Sequence, residues 1–350
     1  MENRNIIFTG PGAAAVVVRP IPELKEGQVL VRLVRSCISS GTERANLTGV
    51  PDNGVSIASS APDGQVTWPR QCGYSSSGVV EAVGAGVSTV ATGDRVALSW
   101  SKHAALVTIP ANNVYRLPDG VSFEQAAWTH ISTFPMAALR KCRVEIGEAA
   151  LVMGQGVLGQ LAVMLLRAAG AVPVIAADPI PERRARAIAL GADLALDPRA
   201  KDFDAQVKAA TRNPAASDRP DQSGARVVVE VTGCGAALDT ALNAVAPFAR
   251  VALLGCTRDS NFTVDYYHKV HGRGVTLVGA HTLARPKVET AAGWWTTRDD
   301  AEAFLKLVAA GRLDLAGFTE ETHAVADAPQ VFARLAKGGV FPNVQFDWTV

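Results

Sequence analysis

The spacing of apolar residues changes character once along the chain. Up to about residue 130 they fall in short runs, such as Ala14 to Val18 and Val29 to Val34, separated by Gly, Pro and other turn formers. Short strands without a strong helical period predict a β-rich, barrel-like unit. Within it Gly49 to Pro69 is polar and broken by Pro51, Gly54, Pro62 and Gly64, which predicts a long surface loop, a candidate lobe over an active site. Gly73 to Val83 and Gly93-Asp94-Arg95-Val96 restore strand and turn, and Ser122 to Gln125 has the form of a capping box opening a helix through Ala127.

From about Thr133 the pattern alternates between helix and strand, the signature of a parallel α/β sheet. Strands are expected at Ala150 to Met153, Val172 to Ala177, Arg226 to Val231, Arg250 to Gly255 and Val275 to Gly279. Helices are expected from Val157 to Gly170, over Glu182 to Leu190, near Phe203 to Thr211 and near Asp299 to Ala310. Asn213 to Ala225 reads as a polar loop. The expected division is 1–131 for the β-rich unit, 132–283 for the α/β unit, and 284–350 for a return to the first.

One stretch carries chemistry in its pattern. A strand ends at Met153, Gly154-Gln155-Gly156-Val157-Leu158-Gly159 follows, a helix runs on, and the next strand ends on Asp178, 19 residues past Gly159. In a dinucleotide fingerprint the first glycine permits the tight turn, the second lets backbone approach a pyrophosphate, and the third lets helix pack on strand. The helix N-terminus faces the phosphates, and the acid about 20 residues on accepts the ribose hydroxyls. A carboxylate there repels a 2′-phosphate, so NAD is the expected cofactor; Arg183, Arg184 and Arg186 nearby weigh the other way, and Arg183 is counted with the site. The remaining cofactor-site candidates are the strand ends Val231, Thr232, Gly255, Ala280 and His281.

A net charge of +1 and 48% hydrophobic residues point to a globular protein with no charge-based reason to bind nucleic acid or an anionic membrane. The five cysteines, Cys37, Cys72, Cys142, Cys234 and Cys256, are scattered without a CxxC pair, which fits a reducing compartment. With no signal-like N-terminal run and the apolar run from Leu161 broken by Arg167 and Gly170, a cytoplasmic protein acting on a small molecule is expected.

GQVLVRLVRSCISSGTE, GYSSSGVVEAVGAGV with the following GDRV, the glycine fingerprint and Val231-Thr232-Gly233 together resemble the medium-chain dehydrogenase/reductase superfamily, zinc-type alcohol dehydrogenase-like, over essentially the whole chain. The resemblance implies a Rossmann domain with a split catalytic domain like the small co-chaperonin (GroES-like), and an active site in the cleft between them. It also implies a catalytic zinc, and here the chain departs from the pattern. Ser39, before Ser40-Gly41-Thr42-Glu43, takes the position of a Cys ligand; Tyr74 and Ser75 replace a His-Glu pair; the four-cysteine lobe is missing. No metal is expected, since zinc needs three or four Cys, His or carboxylate ligands in tetrahedral reach.

Something else must then serve the reacting oxygen. Tyr74 is the first candidate as proton donor. Glu43 is the second, as base or as the group that orients Ser39, Ser40 or Tyr74, with the plainer alternative that it pairs with Arg44. His130, placed in the cleft wall by the resemblance, is a candidate proton relay. His268 and His271 have helical spacing but sit in a short irregular stretch, so no metal is assigned to them. Trp294 and Trp295 are either core or a sugar-stacking wall. VHGRGVTLVGAH and GWWTTRDD are similar to atypical members acting on sugars, polyols or cyclitols. The leading expectation is a zinc-independent NAD(H) oxidoreductase for such a substrate; the alternatives are a quinone or enoyl reductase and a non-catalytic dinucleotide binder. The apolar strand Val275 to Gly279, as a sheet edge, predicts a homodimer or homotetramer.

Overall fold

The computed structural model describes residues 2–49, 67–212, 222–256, 261–290 and 295–350. Most of the predicted loop between Gly49 and Pro69, residues 213–221 of the second loop, and Trp294 lie outside them. The chain divides into two compact units, Met1–Ile131 with Ala301–Val350, and Ser132–Asp300.

The first unit holds β1 (Asn3–Gly10), β2 (Ala13–Arg19), β3 (Gln28–Cys37), α1 (Ser40–Thr48), β4 (Arg70–Gln71), β5 (Ser75–Val83), β6 (Arg95–Ser99), β7 (Leu106–Pro110), β8 (Val114–Arg116) and α2 (Phe123–Ala127). Next comes α3 (Thr129–Lys141). The second unit continues with β9 (Ala150–Met153), α4 (Val157–Ala168), β10 (Val174–Ala177), α5 (Pro181–Ala189), β11 (Leu194–Leu196), α6 (Phe203–Ala210), β12 (Ala225–Glu230), α7 (Gly235–Asn243), β13 (Val245–Leu253), α8 (Tyr266–Lys269) and β14 (Thr276–Gly279). The chain closes with α9 (Thr297–Ala309), β15 (Glu321–Ala324), α10 (Ala328–Lys337) and β16 (Val344–Asp347).

In the first unit one sheet runs β15-β16-β3-β5-β6-β8, with β7 also paired to β3, and a smaller one runs β2-β1-β4. Alternating residues of β3, Val29, Val31 and Leu33, are buried while their neighbours are partly exposed, as a strand with one face on a core requires. The last strand, β16, lies antiparallel to β3, with Phe346 opposite Ser36. Helix α10 turns Val331, Phe332 and Leu335 into the same core. Phe332 meets the Phe8 ring edge-on at 4.9 Å, so residues late in the chain complete a core begun by the first strand. The capping box is present: Gln125 N–H donates to Ser122 Oγ and the Gln125 side chain accepts from Ser122 N–H.

The second unit is a six-stranded sheet in the order β11-β10-β9-β12-β13-β14, with every pairing parallel. Its inner strands are apolar throughout because helices cover both faces: Ala150 to Met153 and Val174 to Ala177 are all buried. The strand expected from Val172 starts at Val174, since Pro173 has no N–H to offer the ladder. Residues 284–300 cluster with this unit. Arg285 holds them there, donating to Thr133 O at 2.8 Å and to Asp300 at 3.1 Å. Asp300 also pairs with Arg140, and burial raises its pKa against the pull of both arginines. Strand β14 is a sheet edge, with Leu277 exposed. No helix among the described residues is long and apolar enough to cross a membrane.

If α10 is the second half of the first unit's core, Phe332→Ala should cost about 3–5 kcal/mol in urea unfolding of that unit. A loss below about 1 kcal/mol would show that the helix contributes little to it.

Candidate active site

In the first unit the candidate residues gather at three places where the chain leaves β-structure. Strand β3 ends at Cys37 and α1 begins at Ser40, with Ser39 as N-cap. Glu43, one turn into α1, reaches back so that its Oε1 accepts from Ser39 N–H at 2.9 Å, while Glu43 N–H donates to Ser39 O at 2.8 Å. Glu43 is 2% exposed, and its other oxygen faces His103 Nε2 at 3.1 Å. Its partner is therefore His103 and not Arg44. What Glu43 holds of Ser39 is its backbone N–H.

The second place is the turn Cys72–Gly73–Tyr74 leading into β5. Gly73 has φ +89°, and a Cβ on it would lie 2.8 Å from the His103 ring. Trp100 N–H donates to Tyr74 O at 2.8 Å, and His103 N–H to Cys72 O at 3.0 Å, so the loop after β6 is tied to this turn. Ser75 donates to Ala127 O at 2.5 Å, which fixes α2 to β5 and turns that hydroxyl away from chemistry.

The third is the start of α3. His130 is fully buried, 5.6 Å from the Tyr74 ring and 4.5 Å from that of Trp100 by ring centroids; Tyr74 and Trp100 are 6.1 Å apart. Trp100 is 38% exposed and has φ +63°. A bulky side chain is rare in that conformation, which concentrates where function demands it. Sequence reasoning placed Tyr74 and His130 but missed Trp100 and His103. Both lie in the short turn Trp100-Ser101-Lys102-His103, whose residues carry no periodic signal, and His103 stands 60 positions from the acid it meets.

Glu43, Cys72 and His103 have donor atoms within 4.8 Å of one another, all buried. Burial pushes the Cys72 thiol well above its usual pKa, and Glu43 adds to the shift.

In the second unit the cofactor candidates lie at the carboxyl ends of neighbouring parallel strands: Gly154 to Gly159 after β9, Asp178 after β10, Val231 and Thr232 after β12, Gly255 after β13, Ala280 and His281 after β14. β9 has β10 on one side and β12 on the other, the reversal of strand order at which such sheets bind ligands. The three fingerprint glycines differ in what surrounds them. Gly154 has φ +94°, and a Cβ on Gly159 would fall 1.9 Å from Gly154 O, so helix and turn touch there through backbone. At Gly156, N-cap of α4, a Cβ would meet nothing within 4 Å; this is open backbone at a helix N-terminus, suited to an anion.

Asp178 accepts from Gln155 N–H at 2.8 Å and Ile180 N–H at 2.9 Å, with Arg183 at 3.6 Å. Arg184 donates to its carbonyl. The Gln155 side chain is buried on Val152 O, its N–H is held by Asp178, and its carbonyl accepts from the Gln160 side chain. A buried Glu230 receives Thr232 N–H and Gly233 N–H, shaping the end of β12; burial raises its pKa. A Cβ on Gly255 would lie 2.2 Å from Gly233 N, which packs the ends of β12 and β13 together. His281 accepts from Leu283 N–H at 3.2 Å. Elsewhere His268 pairs with Asp265 and His271 stacks on Tyr267, while Trp295 lies under Arg140 at 4.0 Å.

Among known proteins, the family described as zinc-binding dehydrogenase matches residues 157–297. D-guloside 3-dehydrogenase of Escherichia coli K12 is 24% identical over 343 residues, covering 94% of this chain and 95% of that protein. A zinc-binding dehydrogenase from Sinorhizobium meliloti 1021 bound to NADP superposes with a TM-score of 0.79 at 19% identity over 99% of each chain. An alcohol dehydrogenase from Escherichia coli CFT073 complexed with NADH does so at 0.78 and 17%, again over 99% of each.

The glycines give a paired prediction. Gly156→Ala should leave stability within about 0.5 kcal/mol, as at an open site, whereas Gly159→Ala should cost about 1–3 kcal/mol or more by overpacking against backbone. Thermal and urea unfolding of the two variants would check this, and equal effects would contradict it.

Proposed function

The chain belongs to the zinc-type medium-chain dehydrogenase/reductase superfamily, and we propose that it is a metal-independent, NAD(H)-dependent oxidoreductase that interconverts a secondary alcohol and a ketone on a sugar, polyol or cyclitol. The observation that supports this reading is the convergence of the Tyr74, His130 and Trp100 rings, with Tyr74 in a motif position that the resemblance gives to a zinc ligand. The sugar glycoside in the name of the E. coli relative supports the substrate class.

A catalytic zinc does not fit the side chains here. Tyr74 is a phenol, Ser75 is committed to Ala127 O, and Ser39 and Ser40 are weak ligands for a soft ion. The Glu43–Cys72–His103 group is of better chemistry, but its imidazole is paired with its carboxylate and burial favours the protonated thiol.

A dinucleotide fits the second unit. The open backbone at Gly156 would take the pyrophosphate and Asp178 the adenosine ribose hydroxyls, each carboxylate oxygen keeping a lone pair beyond its backbone bond. When bound, the nicotinamide gives or takes the hydride. In the reducing direction Tyr74 donates the proton to the oxygen and is reprotonated through His130; in the oxidising direction Tyr74 first passes its own proton to His130 and then, as phenolate, takes the alcohol proton. General acid help of this kind is worth roughly 10²- to 10⁴-fold. Trp100 offers an aromatic face to the C–H face of a sugar ring.

Assay of the purified protein with NAD and a panel of polyols, sugars and cyclitols, following the reduced-nicotinamide absorbance, tests the reading. Turnover should survive a chelator, and Tyr74→Phe should lower it by at least about tenfold with NAD affinity unchanged. Turnover only of quinones or enoyl substrates would replace this reading with C=C reduction, and cofactor binding without any turnover would leave a non-catalytic binder. NAD should be used with higher kcat/KM than NADP, because Asp178 faces the 2′-position with like charge; the reverse order would show that Arg183 dominates. The β14 edges of two copies are expected to pair across a two-fold axis, and a monomeric mass at micromolar concentration would contradict it.

A further inference from the structure

We infer that His103 is held as the neutral tautomer protonated on Nε2, and that it is the positioning residue setting both the Ser39–Ser40 helix start and the turn carrying Tyr74. The indole of Trp348 can only donate, and its Nε1–H reaches Ser36 Oγ at 2.8 Å. Ser36 Oγ is in turn 2.7 Å from His103 Nδ1, and the hydroxyl is 1% exposed. Already accepting from Trp348, it uses its own hydrogen best by donating to Nδ1. Nδ1 is then an acceptor, the ring proton sits on Nε2, and it points at the Glu43 carboxylate 3.1 Å away. The opposite tautomer would set a ring lone pair against that carboxylate and leave the Ser36 hydrogen in the core unused; an imidazolium would leave it unused as well.

The chain of donors Trp348 → Ser36 → His103 → Glu43 therefore runs in one direction and ends at the carboxylate, which also accepts the Ser39 N–H at 2.9 Å. The same imidazole fills the space against Gly73 that a Cβ would need, and the main-chain N–H of His103 bonds Cys72 O. Two segments bearing candidate catalytic groups thus rest on one ring that is buried in the core. A misplacement of about 1 Å at a reacting group can cost on the order of 10²-fold in rate.

The tautomer is read without any assay of function. Nitrogen NMR of the full-length protein with labelled histidine should show His103 with a pyrrole-like Nε2 and a pyridine-like Nδ1. A doubly protonated ring, the Nδ1–H form, or zinc bound at Cys72 with a metal-shifted nitrogen would overturn the inference. The positioning role rests on the oxidoreductase reading above and is measured on the substrate found for the wild type. His103→Gln keeps an amide donor for Glu43, and His103→Leu removes it. The Leu variant should lose between about tenfold and a hundredfold in kcat, with KM for NAD unchanged, and the Gln variant should recover most of that loss. If Leu and Gln variants lose kcat equally, or if correctly folded His103→Leu keeps full kcat, the ring only fills space and the inference falls. Absence of turnover in the wild type would sink the oxidoreductase reading while leaving the NMR result to decide the tautomer.

Discussion

Burying a carboxylate where water cannot reach it is the constraint around which the first unit is arranged. An isolated ionised acid in an apolar interior carries a penalty of many kcal/mol, so Glu43 must be met by donors from the protein itself. They come from one turn away in the helix, from a loop, and beyond that loop from the end of β3 and the residue after β16. Meeting that demand fixes α1, the loop after β6 and the last strand against one another. Removing one partner of such an arrangement is far more damaging than exchanging the whole of it for apolar groups.

The second unit handles its acid differently. Asp178 is also nearly buried, yet its oxygens are met by backbone N–H groups from the glycine turn and from the residues leading into α5, with Arg183 at its side. The first of these donors, Gln155 N–H, belongs to the glycine turn itself. The acid is consequently a strut for the turn, and in the function proposed above the same carboxylate would meet the ribose.

That difference explains how much could be read from the sequence. The second unit was legible because its site is local: strand, three glycines, helix and acid fall within thirty residues, and apolar runs mark strands covered on both faces. The same locality made the capping box at Ser122 readable. In the first unit Tyr74, Glu43 and His130 could be picked out, but chiefly through resemblance. What joins them could not. His103 meets Glu43 across 60 positions, and Trp348 meets Ser36 across 312; sheet pairing makes those contacts, and no local pattern announces it. Trp100 escaped notice for a related reason, since what ties it to the Tyr74 turn is a backbone bond to a residue far away in sequence.

The division of the chain also has a consequence for its synthesis. Residues 132–300 are an insertion in the first unit, and domains fold as units during N-to-C elongation. The Rossmann sheet can therefore close while the nascent first unit still lacks β15, α10 and β16 and leaves unpaired the edge of β3 that β16 will take. Until Trp348 leaves the ribosome, Ser36 has no indole to accept from and Phe8 has no Phe332 to lie against. The half of the protein made first is the half completed last, and it is this half that chaperones would have to shield.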